Sequence, residues 1–145
     1  MRKFLATALL GLATLSAPAA QAEPAGKMVT IVTSDEPQTQ LMSMVLTMQS
    51  MQKGASAYVL LCGPAGDLAL KDAPAAATAP QEPKGMSPQG LMQKIMAQGG
   101  TVEVCAIYLP NKGVGADALL EGVGSAKPPA MADRLLAEDT RIMSF

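Results

Sequence analysis

The chain has 145 residues, 49% apolar, 16% charged and 3% aromatic, with a formal net charge of −1. That length holds one domain of ordinary size. The absence of histidine excludes a Ser-His-Asp triad, a Cys-His dyad and a His-ligated metal site within this chain, and the balanced charge gives no basic footprint for nucleic acid.

Residues 1–22 read as an export signal. Met1-Arg2-Lys3 is a basic start, and Phe4 to Leu15 is apolar and uncharged. Ser16-Ala17-Pro18 breaks any helix, and Ala20-Gln21-Ala22 is an A-x-A cleavage site. The apolar run is well short of the roughly 20 residues a spanning helix needs, so the membrane is met only during export. The expected destination is the periplasm. Cleavage leaves one domain over 23–145 and removes Arg2 and Lys3, which makes the chain more acidic.

Met28 to Thr33 is β-branched and apolar and reads as a buried strand. Asp35 and Glu36 are cap candidates, Pro37 suits a first helical turn, and a helix is expected from about Gln38 to Lys53. Leu41, Met44, Val45, Met48 and Met51 form its apolar stripe, and Gly54 ends it. Ala55 to Cys62 is a second strand, closed by Gly63-Pro64-Ala65-Gly66. Residues 71–85 are rich in Ala and Pro, lack periodicity and read as a long flexible loop.

Ser87-Pro88 opens a second helix with Leu91, Met92, Ile95 and Met96 on one face, ending at Gly99-Gly100. Thr101 to Cys105 is the third strand, followed by a loop from Pro110 to Gly115 and a short helix over Ala116 to Glu121. Val123 to Ala126 is a short fourth strand, Pro128 starts a helix to about Glu138, and Thr140 to Phe145 is the last strand. Strands alternating with helices imply right-handed crossovers and a three-layer α/β/α sandwich around a mostly parallel sheet of about five strands. Functional groups in such sheets gather at the carboxyl ends of the strands.

Both cysteines sit at such ends. Cys105 opens onto the functional edge and reads either as a nucleophilic thiol or as a buried core residue, with Lys112 the nearest base to stabilise its thiolate. Cys62 ends the neighbouring strand, within reach of a disulfide if the two strands pair. An even cysteine count in an oxidising compartment favours a bridge, against two free thiols or a reversible dithiol. The spacing is not C-x-x-C. Met42, Met44, Met48 and Met51 crowd one helix; thioether sulfur suits Cu(I), but helical spacing fits core packing. Met42 and Leu46 form a second apolar ridge suited to a subunit contact.

The chain resembles the DsrE/DsrF-like family of small sulfur-handling proteins over roughly Lys27 to Phe145. Four places carry the resemblance. They are the opening strand and helix to Gly54, Leu60-Leu61-Cys62-Gly63 with Gly66-Asp67-Leu68-Ala69-Leu70, Gly100 to Cys105 followed by Gly113-Val114, and the closing Ile142-Met143-Ser144-Phe145. The resemblance implies a five-stranded parallel sheet between helices, assembly into homo-oligomers, and Cys105 as a persulfide acceptor passing sulfur between protein partners. Three departures stand out: this chain reads as exported, an Ala/Pro-rich insertion follows Leu70, and Cys62 adds a possible bridge partner for Cys105.

The expected function is a periplasmic sulfur carrier or thiol-redox protein, with Cys105 as nucleophile and Cys62 as resolving or disulfide partner. A protein sulfur donor or redox partner is expected, and no cofactor. The alternatives are a non-catalytic binding module with a structural disulfide, and a Cu(I)-handling protein.

Overall fold

The computed structural model describes residues 26–145. The export signal expected over 1–22 lies outside the described residues. Five strands form one parallel sheet: β1 (Lys27–Val32), β2 (Ser56–Leu61), β3 (Thr101–Val104), β4 (Gly124–Ser125) and β5 (Thr140–Ser144), in the order β4-β3-β2-β1-β5. The helices are α1 (Pro37–Gln52), α2 (Ala75–Thr78), α3 (Pro88–Ala97), α4 (Tyr108–Lys112) and α5 (Pro128–Leu136). The sequence placed each strand and the three longer helices to within one or two residues.

Strand order explains which face each helix covers. From β1 to β2 to β3 the chain steps in one direction, so right-handed crossovers lay α1 and α3 on the same face. From β4 to β5 it steps back across the sheet, and α5 lands on the opposite face. The α1/α3 face is the larger core, built on Val32, Val59, Leu61, Val102 and Val104. The α5 face is smaller, with Val29, Tyr58 and Leu60 meeting Met131.

Local signals set the helix ends. The Glu36 carboxylate accepts from the backbone N–H of Gln38 (3.0 Å) and Thr39 (2.6 Å), and Pro37 occupies the first turn. Gly54, with φ +93°, supplies the left-handed turn after α1. The Ser87 hydroxyl caps α3 through the Gly90 N–H at 3.1 Å.

The core-facing side of α1 differs from the expected stripe. Gln40, Ser43, Met44, Thr47 and Met48 are buried, whereas Leu41, Val45 and Met51 are half-buried. The buried hydroxyls work because each finds a partner. Ser43 donates to the Gln40 carbonyl, Thr47 to the Ser43 carbonyl, and the Thr47 and Thr30 hydroxyls meet at 2.6 Å between helix and sheet. Small polar side chains let α1 lie close to β1 there.

Three more expectations are corrected. The 71–85 segment is partly structured: Ala75–Thr78 is helical, Ala77 is buried against the main core, and Gln81 pairs with Met86. An alanine run needs little to form a turn of helix once one face finds cover. The expected loop at Pro110 is instead the middle of α4. Proline is tolerated there because a first-turn N–H has no helical acceptor. The helix expected over 116–121 is a single 3₁₀ turn at Ala116–Ala118.

Candidate functional site

Pairing of β2 with β3 brings the cysteines together. Leu61 lies opposite Val104, so Cys62 and Cys105 are the next residues out along adjacent strands. Their backbones continue the ladder: the Cys62 N–H donates to the Val32 carbonyl at 2.9 Å and the Cys105 N–H to Leu61 at 2.8 Å. The two side chains form a disulfide with a Cα separation of 5.1 Å, inside the roughly 4.4–6.8 Å such bridges span. Both cysteines are half-buried. The bridge left open by the sequence is therefore formed.

Connections leave the sheet for both of its faces near the bridge. The chain leaving β3 turns toward the main core, where Tyr108 of α4 is buried, and the chain leaving β4 turns to α5 on the other face. The divergence leaves space at the carboxyl ends of β3 and β4, beneath the start of α5. An apolar pocket of about 290 Å³ occupies it, lined by Leu60, Cys105, Ala126, Pro128, Met131 and Leu135 among others. Cys105 lines the pocket and Cys62 does not. Ile107, 70% exposed, follows just beyond.

A polar cluster stands on the other side of the bridge. Asp67 lies five residues after Cys62, in the 3₁₀ segment Gly63–Ala69. Its Oδ1 accepts from the Tyr108 hydroxyl at 2.6 Å, and the Lys112 ammonium donates to Oδ1 and Oδ2 at 2.8 and 2.9 Å. Tyr108 and Lys112 lie four apart on α4, so they share a face. The Tyr108 ring lies on Gly66, where a Cβ would collide with it. Burial pulls the Asp67 carboxyl upward, but the hydrogen bonds from Lys112 and Tyr108 outweigh it, and the net direction is down. Burial, with the bond to Asp67, pushes the Tyr108 phenol well above its ordinary value.

Lys112 therefore engages Asp67, not a cysteine sulfur. Sequence reading missed Asp67 and Tyr108 as site residues. The signal was an acid beside a glycine turn after one strand, with a Tyr and a Lys at i, i+4 after the next.

On the α5 face, Tyr58 donates to the Glu103 carboxylate and the Arg134 guanidinium lies 4.1 Å from the Tyr58 ring centroid. Gly124 of β4 leaves room for the Glu103 side chain. This cluster fastens α5 over the sheet. Of the crowded methionines, Met44 and Met48 are core residues, and Met42 (50% exposed) lines a groove of about 520 Å³ between α1 and residues 81–86. Leu46 beside it is 39% exposed.

No protein-family model and no curated protein sequence matches the chain. Solved structures do match in fold. The ychN protein from E. coli superposes with a TM-score of 0.64 at 18% identity, covering 83% of this chain and 99% of that one. MTH1491 from Methanobacterium thermoautotrophicum, a protein of unknown function, gives 0.62 at 14% identity with the same coverages. The architecture is thus a five-stranded α/β fold of the DsrE/YchN-like kind, as the sequence resemblance implied.

Proposed function

We propose that this protein is an exported thiol-redox or sulfur-carrier protein in which Cys105 is the attacked and attacking sulfur and Cys62 resolves it. The carrying observation is the half-buried disulfide at the carboxyl ends of β2 and β3, with Cys105, and not Cys62, lining an apolar pocket. A substrate thiolate entering the pocket attacks Cys105 Sγ, and Cys62 leaves as a thiolate that takes up a proton. A second substrate thiol then displaces Cys105, so two substrate thiols become a disulfide and the protein becomes a dithiol. Starting from that dithiol, the Cys105 thiolate accepts the outer sulfur of a donor persulfide and the donor leaves as a thiolate. The partner is a protein or low-mass thiol. The export-signal layout and the bridge agree with a periplasmic location, where disulfides persist. Self-association through Met42 and Leu46 is part of the same reading, checked by sedimentation.

The test is intact-mass thiol trapping on protein purified from the periplasm, before and after mild reduction. The expected result is a bridge that opens without denaturant, and a gain of one sulfur atom after persulfide treatment of the reduced protein that Cys105→Ser abolishes. A bridge that opens only on unfolding makes the cysteines structural and leaves the pocket as a binding site.

A further inference from the structure

Two segments leave the sheet beside the bridge, Gly63–Ala69 after Cys62 and α4 after Cys105. Asp67 belongs to the first, Tyr108 and Lys112 to the second, and three hydrogen bonds of 2.6 to 2.9 Å join them. The disulfide and this cluster are thus two ties between the same two segments, one covalent and one not. Each is anchored close to its cysteine: the Tyr108 N–H donates to the Cys105 carbonyl at 2.9 Å, and Gly66 gives the Tyr108 ring its seat beside Asp67.

We infer that Asp67, Tyr108 and Lys112 form a clamp that holds Cys62 and Cys105 in register when the bridge is open, and so sets the redox potential of the pair. The inference rests on the redox reading above. Closing a bridge from a dithiol is an intramolecular step, governed by the effective concentration of one thiol at the other. A clamp present in the dithiol state restricts the two segments before the bond forms and raises that concentration. Linkage makes the effect reciprocal: a clamp that favours the closed bridge is itself strengthened by the bridge. These are positioning residues, since the clamp bonds do not involve the sulfurs.

The clamp can be cut without unfolding the site. Just beyond the two segments Leu70 pairs with Leu119 and the Lys71 N–H donates to Ala118, and buried Gln89 of α3 holds the Leu68 and Leu70 carbonyls, so the surroundings of the clamp keep their own ties. Tyr108→Phe keeps the ring on Gly66 and removes only the hydroxyl. Asp67→Asn keeps the shape and removes the charge that holds Lys112.

The experiment equilibrates full-length processed protein with glutathione buffers of graded ratio and measures the fraction bridged by thiol trapping. Oxidation consumes one glutathione disulfide and releases two glutathione thiols, taking two electrons and two protons from the protein dithiol. The Asp67→Asn, Tyr108→Phe double variant is expected to lower the equilibrium constant about tenfold, a rise in potential of about 30 mV. Glu36→Ala uncaps α1 and lowers the melting temperature without joining the two segments, so it leaves the constant unchanged. A double variant within twofold of wild type, in a protein whose bridge does open, overturns the clamp and leaves the redox reading standing. A bridge that no native buffer opens overturns both.

Discussion

Replacing both cysteines by serine removes the one covalent tie between β2 and β3. The bridge joins residues 43 positions apart. In the chain-entropy model a closed loop of that length restricts the unfolded chain by about 4 kcal/mol. Native-state losses are small beside this, because the cysteines are half-buried, serine is nearly isosteric, and the adjacent ladder bonds of Cys62 and Cys105 are made by backbone groups. With a urea m-value of about 2 kcal/mol/M, the unfolding midpoint should fall by about 2 M. The assay is urea unfolding followed by circular dichroism, oxidised wild type against the double serine variant. The m-value should rise as well, since an uncrosslinked unfolded chain is more expanded and exposes more surface. A midpoint shift below about 0.5 M would refute the loop-entropy reasoning. A large shift with an unchanged m-value would place the effect in the native state instead.

Thr47→Val strands the buried Thr30 hydroxyl and should cost about 1–3 kcal/mol, while Thr30→Val with Thr47→Val should restore much of it; a double-mutant cycle in denaturant reads the difference. Gly66→Ala forces the Tyr108 ring off its seat and should destabilise by about 1–3 kcal/mol, with loss of the Tyr108–Asp67 bond visible in the near-ultraviolet spectrum. The Asp67 carboxyl is held below its ordinary value of 3.8, so its contribution is complete above that value and is lost as pH falls through the lower folded value. Asp67→Asn should flatten the acid limb of the stability profile. Tyr58 and Tyr108 are held protonated by burial and by bonds to Glu103 and Asp67. Absorbance titration of the folded protein should show neither ionising near 10.0, and their stabilisation is present below that pH and lost above it.

The sheet was legible because its strands are β-branched runs bounded by Gly and Pro, and the longer helices because proline and a capping side chain mark their starts. The cysteines could be placed at strand ends, but whether those ends were neighbours depended on strand order, which local pattern does not encode. Periodicity misjudged α1: it counts apolar residues, and Ser43 and Thr47 are buried through hydroxyl bonds that only the facing strand reveals. Pro110 misled in a similar way, because a helix-breaking residue breaks nothing in a first turn. Asp67 escaped notice because its meaning lies in Tyr108 and Lys112, some 41 and 45 positions away in sequence.

The parallel sheet has a polarity with a practical consequence. All strands run the same way, so Gly26, beside Asp139, marks the edge opposite the cysteines. Phe145 is stitched onto the cysteine-bearing edge, its N–H donating to the Ile31 carbonyl and its carbonyl accepting from Thr33. A purification tag, fluorophore or surface tether attached after Phe145 would sit on the cysteine-bearing edge and disturb that stitch. The same handle placed ahead of Gly26 would hold the molecule by its far end, with the disulfide facing the solution.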